Sequence, residues 1–393
     1  MTPAARAQAA IELLDQIIAA AREGGAAADS LIARYFRDRR YAGSGDRRAV
    51  RELVYRAIRR AGEVPSSGRA ALAGLAHDDA AILAWFDGSP HGPAPLGVGE
   101  PLAPAGVMPD WLTGQLDPFV TEDEREALLE RAPLDLRVNH LVGTREEALR
   151  HFPDSTPTPL SPLGLRLAEN MDVERSEAWR SGLVEVQDEG SQLLSLACEA
   201  DGRQLVVDLC AGAGGKTLAL AAQMGGVGRI IACDVDRTRL SRMGPRLERA
   251  GISNVQTRLL DPGREGDALD DLAGEADLVL VDAPCSGSGT WRRNPETRWR
   301  VTPERLARLV VLQARLLDLA AGLVRPGGTL VYAVCSLLKA EGREQVEHFA
   351  DRHSAFRAMA WPLEGGRAAG SGHLLTPGHD GTDGFFIARW QHA

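Results

Sequence analysis

The chain has 393 residues, 44% of them hydrophobic and 25% charged, an ordinary globular composition and more than one hydrophobic core usually organises, so two or three domains are expected. No stretch offers the roughly 18 uninterrupted apolar residues of a bilayer span, and MTPAARAQAAIELLDQ lacks a basic segment followed by an apolar one, so a cytoplasmic protein with no membrane partner is expected. The net charge of −9 taken alone argues against a nucleic-acid partner, but the arginines cluster: residues 34–60 hold ten and residues 291–308 hold six, and such patches hold phosphates even in an acidic chain.

In chain order, Ile11, Leu14 and Ile18 form a helical stripe, and Val50, Leu53, Val54, Ala57 and Ile58 repeat it after a cap at Ser44 or Asp46. These are faces of an all-helical domain. Residues 88–106 carry five Pro and five Gly, which sustain neither helix nor central strand, so that domain is expected to span 1–106 and end in a linker. After MPDWL, a helix start, APLDLRVNHLVGTREEALRHF reads as strand then helix and opens a small α/β segment over 107–200. From 201 to 393, QLVVDLC, RIIACDV, VQTRLL, ADLVLVDAP and GTLVYAVC alternate with helical stretches, the pattern of an α/β domain with a mostly parallel, doubly covered sheet. The closing GFFIARW is expected as an antiparallel edge strand.

VVDLCAGAGGKTLALAA is a buried strand, a glycine turn and a helix. Gly212, Gly214 and Gly215 permit a tight turn and close approach of a ligand to the helix start. The ending GKT is not a phosphate loop, because the glycine that motif needs five positions before Gly215 is Cys210. Asp234 ends the next strand, 20 residues after Gly214, where a carboxylate can accept both hydroxyls of an adenosine ribose. That geometry serves NAD and S-adenosylmethionine equally. Asp261, after the third strand, falls where an adenine would sit. Lys216 is one of only two lysines, which hints that a compact ammonium is wanted there.

Five cysteines, an odd number with no C-x-x-C pair, suggest neither a disulfide framework nor a metal site. Cys198, Cys210 and Cys233 read as packing. Cys285 and Cys335 fall with Asp282 just past strand ends, where open α/β sheets bind ligands. Such a set suits alkylation of carbon 5 of a pyrimidine, which becomes nucleophilic only after something adds to carbon 6, and a thiolate adds reversibly. SLLKAEGREQVEHF after Cys335 is expected as a helix whose N-terminal dipole favours the thiolate. Asp282 is placed to take up the charge pushed toward ring nitrogen 3, and the second thiol to assist release. The residues alone do not say which thiol attacks.

DLCAGAGGKT, ACDVDRTRL, VDAPCSGSGTWRRNPETRW, YAVCSLLKAEGREQVE and HDGTDGFFIARW together resemble the RNA cytosine-5 methyltransferases of the Sun, or RsmB-like, family, from about residue 133 to the end. DRRAVRELVYRAIRR is similar to the NusB-like RNA-binding domain of bacterial members. The resemblance implies a class I, Rossmann-like S-adenosylmethionine methyltransferase domain over 201–393, a small RRM-like α/β subdomain over 107–200 and a helical NusB-like domain over 1–106. It implies Cys335 as nucleophile, Cys285 in product release and Asp282 in cytosine activation. S-adenosylmethionine would be held by Cys210, Ala211, Gly212, Ala213, Gly214, Gly215, Lys216, Asp234, Arg239, Asp261 and Asp282. Arg292, Arg293, Arg298 and Arg300, interleaved with Trp291 and Trp299, would line the RNA path, with Arg47 and Arg48 on the helical domain. The chain departs from the family's usual residues at Ala213, Ser288 and Val334, each keeping a similar shape. The implied partner is RNA, ribosomal RNA before tRNA, bound by a monomer that needs no metal. A non-catalytic RNA-binding or antitermination factor and an NAD-dependent oxidoreductase are the alternatives, and neither has a use for two thiols beside Asp282.

Overall fold

The computed structural model describes residues 1–168, 171–202 and 204–393. Four helices open the chain: α1 (Pro3–Glu23), α2 (Ala28–Asp38), α3 (Ser44–Arg60) and α4 (Gly68–Asp78). The Thr2 side chain caps α1 by accepting the Ala5 N–H, and Gly24 ends it at φ 76°, a left-handed conformation that favours glycine. Leu13, Leu14, Ile17, Val50, Val54, Ile58 and Leu72 are fully buried in one cluster, each contributing about 1.5–3 kcal/mol of transfer free energy.

These helices belong to the first of two units into which the chain divides, Met1–Glu130 together with Ser286–Leu306. The Pro/Gly-rich segment lies inside it and is hydrogen-bonded to the helices: Ala103 N–H donates to Ala70 O at 3.0 Å and Gly106 N–H to Arg60 O at 2.9 Å. Residues 286–306 return to serve helix ends. Arg298 donates to the carbonyls of Ile58, Arg59 and Ala61, which close α3, and to Val107 O at 2.6 Å. Arg300 donates to the carbonyls of Gly25 and Ala26, in the link between α1 and α2, at 2.8 and 2.7 Å, and Glu296 accepts the first amide of α2, Ala28 N–H, at 3.1 Å. The last carbonyls of a helix lack intrahelical partners, so the buried Arg298 at the end of α3 and the Glu296 anion at the start of α2 complement both the hydrogen bonding and the dipole.

The second unit is Arg131–Cys285 with Ala307–Ala393. It begins with a small antiparallel sheet of β1 (Leu134–Val138), β2 (Thr156–Pro157), β3 (Gly164–Leu167) and β4 (Val184–Val186), in the order β2-β3-β1-β4, over a core of Leu136, Val138, Phe152, Leu165 and Val184. The larger sheet contains β5 (Leu205–Asp208), β6 (Arg229–Asp234), β7 (Val255–Leu259), β8 (Ala276–Asp282), β9 (Val324–Val334), β10 (Phe356–Ala358), β11 (Arg367–Ala369), β12 (Gly372–Leu375) and β13 (Phe385–His392). Its order is β11-β12-β13-β9-β8-β5-β6-β7, with β10 also on β13. The pairs from β7 to β9 are parallel, and their central strands are continuous apolar runs because helices cover both faces. The order runs outward from β5 in both directions, β6 to one side and β8 to the other, which is the switch point where such sheets open a crevice.

One expectation is corrected here. GFFIARW is antiparallel, pairing β13 with β9, but it is not an edge strand, because β12 and β10 both pair onto it. The hairpin β11–β12, written in short glycine-bounded strands, carries too weak a period to be read from sequence.

Candidate active site

Parallel strands point their carboxyl ends the same way, so β5, β6, β8 and β9 deliver Asp208, Asp234, Asp282 and, one residue further, Cys335 to one side of the sheet. From β5 the chain turns at once into the Gly215–Gln223 helix. Gly212 and Gly214 stand at φ 57° and 87°; a Cβ at Gly214 would meet Met243 Cγ at 2.6 Å, and one at Gly212 would collide with the Arg239 guanidinium. At Gly215 a Cβ would meet nothing within 4 Å, so the backbone at the helix start is open on that side.

Asp234 Oδ2 accepts the Gly212 N–H and Oδ1 the Asp236 N–H, each at 2.7 Å, with Arg239 Nη1 3.8 Å from Oδ2. A carboxylate offers about four acceptor positions, so capacity for two ribose hydroxyls remains. Arg246 Nη1 holds the Ala213 carbonyl at 2.6 Å while Nη2 pairs with Glu185 at 3.0 Å. Asp261 is exposed just past β7. Open backbone at a helix start, residual carboxylate capacity on the second strand and left-handed glycines between them fit S-adenosylmethionine.

Asp208 is fully buried and accepts the Thr217 hydroxyl at 2.6 Å. Burial pushes its carboxyl up to about 7 against that hydrogen bond, and the Asp282 charge adds to the rise. Lys216 Nζ lies 2.7 Å from Asp282 Oδ2. Burial alone would weaken the ammonium, but the Asp282 charge, its hydrogen bond and the nearby Cys335 hold Lys216 above the ordinary lysine value.

The Sγ atoms of Cys285 and Cys335 are 3.4 Å apart, and both residues are partly exposed. Of the other thiols, Cys198 and Cys233 are buried and Cys210 is partly exposed. Burial pushes Cys198 and Cys233 up to about 12, and burial with the charges of Asp208, Asp282 and Asp234 raises Cys210 well above the usual value. The helix expected to start at Cys335 starts at Arg343 instead. The intervening residues form a loop tied by Ser336 Oγ donating to Glu341 Oε2 at 2.5 Å, so Cys335 is not at that helix's first turn, where a dipole acts.

Three further residues around the site carry no sequence signal: Arg246 and Thr217, which fix the glycine loop, and Gln313, a lone amide in an apolar helix. The arginine and tryptophan stretch is also read differently. Trp299 is 3% exposed in the helical core and donates Nε1–H to Ala61 O at 3.0 Å, so it offers no face to a base; Arg298 is buried with its Nη donors on carbonyls, and burial lowers it to about 9. Trp291 and Arg292 are likewise buried, Arg293 is half-buried, and Arg47 and Arg48 are exposed on α3. Among the described residues, no group of three or more His, Cys, Asp or Glu could hold a metal, and no helix is long and apolar enough to cross a membrane.

Fold and site together define an S-adenosylmethionine-dependent methyltransferase. The family model described as 16S rRNA methyltransferase RsmB/F matches residues 194–391. A probable ribosomal RNA small subunit methyltransferase B from Synechocystis is 34% identical over 300 residues, 73% of this chain and 67% of that one. Over its whole length the chain is similar in fold to the crystal structure of PH0851, with TM-score 0.77, 24% identity and 99% of each chain covered. A methyltransferase homologue from Pyrococcus horikoshii gives TM-score 0.62 at 27% identity, covering 71% of this chain and 92% of that one. The chain belongs to the RsmB/F family, and it spans about two thirds of the length of the curated relatives it matches.

Proposed function

We propose that the protein methylates carbon 5 of cytosine in ribosomal RNA through a transient bond from Cys335 to carbon 6 of the base. The observation that carries this reading is the pair of thiols 3.4 Å apart at the ends of β8 and β9, beside the Asp282–Lys216 pair. Burial disfavours Cys198 and Cys233 as thiolates, and desolvation with three neighbouring carboxylates does the same for Cys210. Ribosomal RNA is favoured over tRNA by the family and by the relatives' names.

The Cys335 thiolate donates an electron pair to carbon 6, and the pair displaced from the 5,6 double bond makes carbon 5 nucleophilic. The Asp282–Lys216 pair, its oxygen and nitrogen 2.7 Å apart, passes its shared proton to ring nitrogen 3 as charge develops there and takes it back when the double bond re-forms. When bound along Gly212–Lys216 and Asp234, S-adenosylmethionine supplies an electrophilic methyl group. Cys285 then takes the proton from carbon 5, the double bond re-forms, and the Cys335–carbon 6 bond breaks with its electrons returning to sulfur. The base must leave its stack to reach this edge, which favours a loop or bulge in folded RNA. Exposed Arg47 and Arg48 on α3 bind phosphates.

The test is methyl transfer from labelled S-adenosylmethionine to ribosomal RNA transcripts. Cys335→Ala should abolish transfer, and Cys285→Ala should accumulate a protein–RNA adduct that survives denaturation. Trapping by Cys335→Ala instead would reverse the assignment, and a tRNA preference would overturn the substrate.

A further inference from the structure

Strand pairing does not fix the two thiols relative to each other. The β8–β9 ladder ends at Asp282 with Ala333, and one backbone hydrogen bond beyond it runs from Ala283 N–H to Ala333 O at 2.9 Å, so Cys285 and Cys335 both lie past the paired residues. A buried side-chain bridge spans the gap. Gln313, on the Pro303–Leu323 helix and fully buried, donates from Nε2 to Pro284 O at 2.9 Å and to Glu341 Oε1 at 3.0 Å. Glu341, also fully buried, accepts Ser336 Oγ on its other oxygen at 2.5 Å, and its carbonyl accepts the Tyr332 hydroxyl at 2.7 Å. One amide therefore grips the residue immediately before Cys285 and, through one carboxylate, the residue immediately after Cys335. Both acceptors of Nε2 are oxygens, so the amide has a single workable orientation.

A carboxylate out of water costs several kcal/mol unless its oxygens are hydrogen-bonded, and an apolar residue of similar volume would pack the same space more cheaply. What an apolar residue cannot do is hold two loops at a fixed separation. We propose that Gln313 and Glu341 are positioning residues that set the spacing of the Cys285 and Cys335 thiols, so that the sulfur removing the carbon 5 proton stays in reach of the base held by the other. The role in turnover rests on the cysteine-adduct reading above; the spacing itself does not.

The experiment therefore has two readouts on the full-length protein. The first needs no RNA. Diamide accepts two electrons and two protons as the two thiols couple to a disulfide, and the coupling rate is read from the loss of alkylatable cysteines. Gln313→Met should slow coupling at least roughly tenfold, since a displacement near 1 Å is costly to reactions between held groups. The second readout is turnover: Gln313→Met should lower methyl transfer while raising the fraction of protein caught as RNA adduct, a split that general loss of stability does not produce. Ser336→Ala, which cuts the other arm, should slow coupling and adduct formation together, and it decides the matter if Gln313→Met does not fold. Coupling at the wild-type rate in the folded variants would overturn the proposal. Slowed coupling with no adduct even from Cys285→Ala would uphold the spacing role and sink the adduct reading instead.

Discussion

Replacing Asp208 by Asn tests the electrostatics of the glycine loop with a sign as well as a size. The folded carboxyl sits at about 7 against an ordinary value of 3.8, so the folded state binds a proton more tightly than the unfolded chain. A carboxyl raised in this way contributes its stability below the unfolded value and loses it as pH climbs through the folded one; the window runs from about pH 4 to pH 7. At pH 5 a little over one pKa unit of that cost is already present, and at pH 8 about three, a difference near two units or about 3 kcal/mol. Asparagine resembles the protonated acid in shape and does not titrate. Denaturant unfolding of Asp208→Asn and the parent protein at pH 5 and pH 8 should therefore show the variant gaining about 2–3 kcal/mol, relative to the parent, between the two pH values. Titrating groups that do not feel the Asp208 charge are common to both proteins and cancel. A difference between the two proteins that is the same at both pH values would show that the carboxyl titrates normally, and the account of its burial would be wrong.

Arg298→Met should destabilise the helical unit by about 3 kcal/mol or more, because several buried carbonyls lose a donor at once, and the unfolding should be visible in Trp299 fluorescence. Arg47→Ala with Arg48→Ala should weaken RNA binding and lower the slope of log affinity against log salt by up to about one for each phosphate no longer neutralised; an unchanged slope would remove these residues from the interface. Lys216→Arg keeps the charge but should lower methyl transfer at least roughly tenfold, since a guanidinium is broader than the ammonium held 2.7 Å from Asp282. Wild-type turnover by that variant would show that charge alone is needed.

The parts of the fold legible in the sequence are those whose signal is local. The strand, glycine turn and helix around Gly212–Lys216 are readable because left-handed backbone favours glycine and a buried parallel strand is a run of apolar residues. The placement of Asp234, Asp282 and Cys335 at strand ends follows from the same alternation. What escapes is set by partners distant in sequence. WRRNPETRWR has the composition of a nucleic-acid path, and only carbonyls more than 200 residues away, at the end of α3 and in the link between α1 and α2, show what Arg298 and Arg300 bind. Gln313 is invisible for the same reason, because its meaning lies in Pro284 and Glu341. The helix expected at Cys335 is misplaced because its apolar period is real but starts after Gly342.

The chain order gives the bridge at Gln313 its physical sense. Cys285 is the last residue of its unit before the chain departs into residues 286–306, and the chain re-enters only at Ala307. A residue at such a junction has strand pairing on one side alone, so a contact beyond the ladder adds to what positions its sulfur. The Pro284 carbonyl is the last backbone acceptor before the thiol, and it is bound by a fully buried side chain from the helix that the returning segment forms. Cys335 has the complementary difficulty of being followed by a loop instead of a helix, and Glu341 closes that loop back onto Ser336. Each thiol is thus held by a side chain on the side beyond its strand, and the two contacts share one hydrogen bond, between Gln313 and Glu341. A pair of sulfurs that must act in turn on adjacent atoms of one base needs this coupling more than either needs rigidity alone.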